Sequence, residues 1–426
     1  MISSRLLLHA AGLLAFVCAC AAASLGDLAA HVPAWLLWLA LGSLPLLVGL
    51  RGDRPPERTF VIVTAWALLI RLPLLFGTEP TLSDDVFRYV WEGRLVALGL
   101  DPFDLAPDSP ILATLAVDSA EWAGINHKGL PAIYPPGAQW VFAFLAGFAP
   151  TVFAFRAAMV LVDLALIAVL ARLLVARGAD PRLLVLYAWH PLVAVEVASS
   201  GHYEPLALIP MMAGLLAFDR LRTSALPWVL WGVAIAMKYA GGAMGWFAAR
   251  ALVEDGEESR GALGLAFAAL TAVVIAAPFA FDGTLPFGSL GTYVEHWGHN
   301  GSVHALLTPL LGYHPARWLV AALFVGWAGW LTWRGGDPAR AFLHLFAGLI
   351  VLSPVVHPWY GLWIVVFLPL FPSLPLLVFS VLLPLAYLAW TAQAAGGAWL
   401  APAWVPWVEY GVPLALALGV EAARRR

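Results

Sequence analysis

Residues 83–94 read Ser83-Asp84-Asp85-Val86-Phe87-Arg88-Tyr89-Val90-Trp91-Glu92-Gly93-Arg94 and set three acids and two arginines into twelve positions. An apolar run over residues 59–76 comes just before them. Charge beside a bilayer is costly, so a cluster next to a membrane span reads as a functional site by default. Adjacent carboxylates suit either general-base work or metal binding.

The rest of the chain explains why this cluster stands out. Of its 426 residues, 62% are hydrophobic and 12% charged, and the mean hydropathy is +0.84. A membrane span needs roughly 20 apolar residues, and such runs recur from residue 6 to residue 422. The reading is an all-α polytopic membrane protein of about 12 transmembrane helices, forming a single domain over 1–426 with no large soluble part. The 32 prolines and 38 glycines, many inside apolar runs, point to broken helices, which membranes tolerate where they line a protein cavity. Most of the 21 tryptophans fit interfacial belts, and some fit sugar-stacking platforms. Cys18 and Cys20, two apart on different helix faces, suggest neither a disulfide nor a metal site. Residues 1–24 read equally as a signal peptide or an uncleaved first span.

Cytoplasmic loops collect arginine and lysine. On that rule Arg51, Arg54 and Arg58 mark one inner loop, and Arg172, Arg177 and Arg182 another. Arg220 with Arg222 and Arg334 with Arg340 mark two more, and Arg424, Arg425 and Arg426 put the C-terminus inside. The spans between run roughly over 6–24, 33–50, 59–76, 157–175, 183–199, 205–219, 262–281, 316–333, 341–353, 361–372, 374–391 and 405–422. Residues 226–249 read as one span or as a hairpin turning near Lys238. Residues 138–150 are too short to cross and read as re-entrant. Four segments then lie outside: 77–137, 199–205, 282–315 and 353–360. The acidic cluster is in the first.

That cluster has the marks of a short helix on the outer surface. Ser83 or Thr81 can cap it, Asp84 and Asp85 fall in its first turn, and Gly99 with Pro102 ends it. Asp84, Asp85, Arg88 and Glu92 share a face. A plain surface helix with ion pairs is the bland alternative. Elsewhere, His202 and Glu204 lie at an outer helix end, as functional residues or as a polar turn that itself needs no His-x-Glu, and Lys238 stands deep in an apolar run, where a lipid phosphate or a structural carboxylate would be its partner. Tyr293 to Ser302 is rich in residue types that bind sugars, or is an ordinary wet loop. His357 sits at a proline-broken helix end, Tyr134-Pro135-Pro136-Gly137 sets a rigid turn, and His190 reads as a satisfied buried histidine. Zinc-type ligand spacings, Gly-rich phosphate loops and Gly-x-Ser-x-Gly elbows are absent from the sequence. Nothing points to nucleotide or nucleic-acid binding, so a sugar donor would arrive on a lipid.

These blocks, taken in order, resemble the glycosyltransferase C superfamily of membrane enzymes, and within it the polyprenol-phosphate-mannose-dependent mannosyltransferases of bacteria. The resemblance rests on residues 83–94, Gly99-Leu100-Asp101-Pro102-Phe103, Ile125-Asn126-His127 and Ile133-Tyr134-Pro135-Pro136. It continues through Trp189-His190-Pro191, Ser200-Gly201-His202-x-Glu204, Lys238, the 293–302 loop and His357-Pro358-Trp359-Tyr360, covering about residues 60–365. Gly201-His202-Tyr203-Glu204 stands where many relatives have Gly-His-Asn-Asp, so its acid is one carbon longer.

The resemblance implies a multi-pass protein of a bacterial inner membrane with an extracytoplasmic active site. It implies transfer of a hexose, mannose as the best guess, from a polyprenyl-phosphate carrier to a hydroxyl of a glycolipid, glycan or protein, with inversion. It gives the proton-accepting role to Asp84 or Asp85, with Asp85 preferred. The departing phosphate would meet Arg88, Lys238 and His357, with His202 and Arg94 behind them. Trp91, Trp297 and Trp359 would stack on sugar, with Glu92, Glu204, Tyr134, His299, Asn300 and Tyr360 around the sugar and acceptor. A divalent cation, magnesium or manganese, would bind at Asp84, Asp85 and Glu204 if the reaction uses one. The rival classes are a polyprenyl-linked lipid or sugar transporter and a non-catalytic assembly subunit.

Overall fold

The computed structural model describes residues 3–51, 55–280 and 283–424; Arg54, Arg425 and Arg426 lie outside them. It is all-α. Among the described residues six helices are long and apolar enough to cross a bilayer: Ser4–Ala23, Val32–Leu50, Thr59–Gly77, Val152–Ala176, Glu258–Phe279 and Leu374–Ala394. A seventh candidate, Pro181–Ala188 with Pro191–Ser199, bends by 51° at its break. Pro191 causes that bend, since it has no N–H to give and its ring clashes with the preceding turn. His190 Nδ1 accepts the Leu192 N–H (3.3 Å) to cap the second half, while Nε2 meets Ser380 Oγ (3.0 Å). His190 is thus a satisfied buried histidine.

Other runs marked in the sequence are also helical: Glu204–Arg220, Tyr313–Arg334, Pro338–Leu352 and Val405–Arg424. The run at 361–372 holds one α-turn, Leu362–Val365. Within 226–249 the helix Leu226–Met237 stops at Lys238, whose backbone is extended, and helix resumes over Ala243–Glu254. The segment near 138–150 is a 13-residue helix, Pro136–Phe148. At 1.5 Å per residue it is about 20 Å long, short of the roughly 30 Å hydrocarbon layer. The chain is an all-α, multi-pass membrane protein.

Contacts divide the chain into two compact units: Met1–Glu79, Leu170–Glu196 and Gly298–Arg426 form the first, and Pro80–Val169 with Val197–Trp297 the second. In the first, the arginine-marked loops meet. Arg182 donates to the Arg51 carbonyl (2.9 Å), and Arg177 pairs with Asp337 (3.0 Å). Segments assigned to the opposite side meet each other too: His299 donates its N–H to the Pro354 carbonyl and accepts from Val356.

The second unit carries the acidic helix, Asp85–Ala97. It ends as its sequence requires, with Gly99 at φ +77° and the Leu100 N–H returning to the Leu95 carbonyl. Its lower face packs Trp91 and Leu95 against Leu112 and Ile125. Another face lies on the Pro136–Phe148 helix so closely that a Cβ on Gly93 would stand 2.4 Å from the Phe142 carbonyl oxygen. Small residues at such crossings let membrane helices approach. Gly93→Ala should therefore lower the midpoint of thermal unfolding in detergent. Gly147→Ala, where a Cβ meets nothing within 4 Å, should leave it unchanged or raise it through better helix propensity.

Candidate functional site

The acidic helix opens with Ser83 Oγ accepting the Asp85 N–H (3.3 Å). Asp84 holds the capping position without using its side chain there. Its Oδ1 instead accepts from Asn126 Nδ2 (2.7 Å). Asp85 Oδ2 lies 3.5 Å from the Tyr89 hydroxyl and 3.8 Å from Nε2 of the buried His202. Burial, reinforced by the charge of Asp85, raises the Asp84 carboxyl from its ordinary range to about 7. Two half-buried carboxylates at adjacent positions cannot both ionise freely.

Arg88 turns away from both aspartates. Its buried guanidinium donates to Glu92 Oε1 (3.2 Å) and to the carbonyl oxygens of Pro131 (3.3 Å), His127 (3.0 Å) and Leu130 (2.9 Å). Glu92 is buried as well, and its second oxygen accepts from Gln139 Nε2 (2.6 Å). Burial lifts the Glu92 carboxyl to about 7 even against the pull of Arg88. Arg88 and Glu92, expected at phosphate and sugar, are thus committed to the frame beneath the site. Trp91, expected to stack on sugar, lies at 1% exposure within the Leu95, Leu112, Ile125 cluster. Arg94 reaches Ser119 Oγ (3.4 Å) and Glu121 Oε2 (3.8 Å).

The turn at 199–205 adds the other half of this group. Gly201 has φ +75°, and a Cβ there would strike Arg156 (2.9 Å) and Val86 (3.1 Å). Only glycine fits, and the tight turn drives His202 inward. Glu204, also buried, pairs with Lys238 Nζ. Lys238 lies 5.1 Å over the Tyr203 ring. The rings of Tyr89, Tyr134 and Tyr203 meet edge to face at 4.9–5.5 Å, forming an aromatic wall beside Asp85. Burial and the nearby Asp85 hold the Tyr89 and Tyr134 hydroxyls well above their usual range, so they act as neutral donors.

Of the remaining candidates Trp297 belongs to the second unit, and His299, Asn300, His357, Trp359 and Tyr360 fall in the first. His357 stacks on Trp359 (4.3 Å, 2°) and on His299 (5.0 Å, 22°), which in turn stacks on Trp399 (4.4 Å, 24°). Tyr360 meets His357 edge to face (5.7 Å). Burial lowers the His299 imidazole to about 4, so it is neutral at physiological pH. Asn300 Nδ2 donates to Glu409 Oε2 (2.7 Å). Glu409, fully buried, and Trp399 escaped the sequence reading. Glu409 had a signal, being an acid set within the apolar run 405–422 well before its end; Trp399 had none.

Among the described residues no three His, Cys, Asp or Glu side chains gather as a metal site. Asp84, Asp85 and Glu204 do not form a shared ligand set, and no step below runs through a metal.

Apolar helices, an acid pair at the head of a short helix and a Lys238–Glu204 pair near it are consistent with an integral membrane glycosyltransferase of the C type. Residues 4–254 match the family model described as alpha-(1->6)-mannopyranosyltransferase, N-terminal domain, of the MptA_B family. The chain belongs to that family and is a membrane mannosyltransferase. The match takes in Asp84, Asp85, His202, Glu204 and Lys238, while Trp297, His299, His357 and Glu409 lie beyond it. No curated protein and no solved structure matches the chain.

Removing one member of the buried Arg88–Glu92 pair leaves the other charge without compensation, which costs about 3–5 kcal/mol. Arg88→Ala should sharply reduce folded yield and thermal stability. Arg88→Met combined with Glu92→Leu should recover much of the Glu92-dependent part of the loss, which a double-mutant cycle measures.

Proposed function

We propose that this mannosyltransferase takes mannose from a polyprenyl-phosphate carrier at the extracytoplasmic face of a bacterial plasma membrane and passes it, with inversion, to an acceptor hydroxyl. The single observation that carries the reading is the Asp84/Asp85 pair, half-buried, with Asp84 raised to about 7 by burial and by its neighbour. A general base works best when its pKa lies near the working pH.

In the proposed step the acceptor oxygen attacks the anomeric carbon, and the bond from that carbon to the phosphate oxygen breaks. The electron pair leaves with the polyprenyl phosphate, and the acceptor proton passes to the acid pair. Asp84 is the member whose pKa suits that proton, which moves the assignment from the Asp85 favoured by sequence. Asp85, held against His202 and Tyr89, orients the acceptor and keeps the Asp84 pKa high. Lys238, its side chain a quarter exposed, meets the departing phosphate, and Glu204 fixes its position. Charge fixed in advance near a developing anion stabilises it without reorganisation. Tyr134 and Tyr203 wall the sugar site.

The test is transfer from labelled polyprenyl-phosphate-mannose by purified protein in lipid. Asp84→Asn should lose activity by about 10²–10⁴-fold while remaining folded, and Asp85→Asn should be severely impaired. In wild type the rate should climb as pH rises through about 7, because a base with a raised pKa is protonated and idle below it and ionised above it. Activity in Asp84→Asn with the same acid limb as wild type would remove Asp84 from the role.

A further inference from the structure

The loop that holds Asp84 also carries an aromatic corner that the reaction as described leaves unused. Asn126, hydrogen-bonded to Asp84 Oδ1, is followed by His127, whose ring meets Trp297 at 5.0 Å and 67°. His127 is exposed and Trp297 half-exposed. Tyr293 backs Trp297 from the preceding helix (5.6 Å, 34°).

The corner is built at a cost. His127 has φ +42°, a region that residues with a Cβ seldom occupy, and such strain persists only where surroundings over-determine it. They do here. The His127 carbonyl accepts from Arg88 and from the Leu130 N–H. Lys128 folds back onto the Ile125 carbonyl (2.6 Å) and over the Trp122 ring (4.8 Å). Arg88 therefore fixes, through one guanidinium, both the loop that bonds the acid pair and the ring that faces Trp297.

We infer that His127 and Trp297 form the acceptor subsite, a two-walled platform for the terminal hexose of a carbohydrate acceptor whose hydroxyl is presented to Asp84. A hexose has an apolar C–H face and a rim of hydroxyls. An indole takes the face, and an imidazole at an angle to it takes a hydroxyl. The inference rests on the proposed transfer reaction and names the acceptor class for it.

The test uses wild type, Trp297→Ala, Trp297→Phe and His127→Asn, the last chosen because Asn tolerates a positive φ. Mannobiose is the probe, first for binding by saturation-transfer NMR without donor, then as acceptor with polyprenyl-phosphate-mannose. Wild type should bind mannobiose, and Trp297→Ala should not. The acceptor KM should rise about tenfold or more, equivalent to roughly 1.4 kcal/mol, with the donor KM unchanged. Trp297→Phe should restore most of the loss, and His127→Asn should weaken binding. Equal mannobiose binding and acceptor KM in all four proteins would overturn the platform. Binding lost in Trp297→Ala together with no transfer by wild type would uphold the platform and overturn the donor assignment instead.

Discussion

The buried guanidinium of Arg88 is the constraint on which the rest of the site depends. It sits four residues after Asp84 and gathers His127, Leu130, Pro131 and Glu92 around one planar group. Five fixed donors suit that role, and a lysine ammonium could not replace them. Because Glu92 is itself held by Gln139 on the Pro136–Phe148 helix, the clamp joins acidic helix, loop and short apolar helix into one body. The acid pair stands at the head of that body. Its position is set by buried charge underneath it and by a glycine contact, Gly93 on Phe142, beside it.

The same region shows how a mostly apolar chain accommodates charge. Arg88 with Glu92 and Lys238 with Glu204 occur there as partners, since an unpaired buried charge costs several kcal/mol. The two aspartates instead lie beside Asn126 and Tyr89, with His202 more distant. Burial, with the charge of Asp85 beside it, raises the Asp84 pKa, the property on which the proposed base role rests.

Much of this was legible in the sequence. Hydropathy marked the helices, while the bend at Pro191 falls inside 183–199, a run the sequence reads as one continuous span. Gly99 closed the acidic helix where expected. Asp84, Asp85, His202, Glu204 and Lys238 were all singled out, because charge amid apolar runs is conspicuous. What sequence could not assign was direction. Arg88 lies on a helix face with Asp84 and Asp85 behind it and Glu92 ahead, and spacing alone does not say which it serves. Trp91 as platform or core is likewise decided by burial, which depends on Leu112 and Ile125 from a distant loop. The Asn300–Glu409 pair joins positions more than a hundred residues apart, and no local pattern announces it.

The most direct measurement offers the purified protein in lipid vesicles mannose labelled at its anomeric carbon on either polyprenyl phosphate or a nucleoside diphosphate, with a mannoside acceptor, and reads the product's anomeric configuration by NMR. The account requires transfer from the lipid-linked donor alone, with the configuration inverted. Transfer from the nucleotide sugar, or a product of retained configuration, would contradict it.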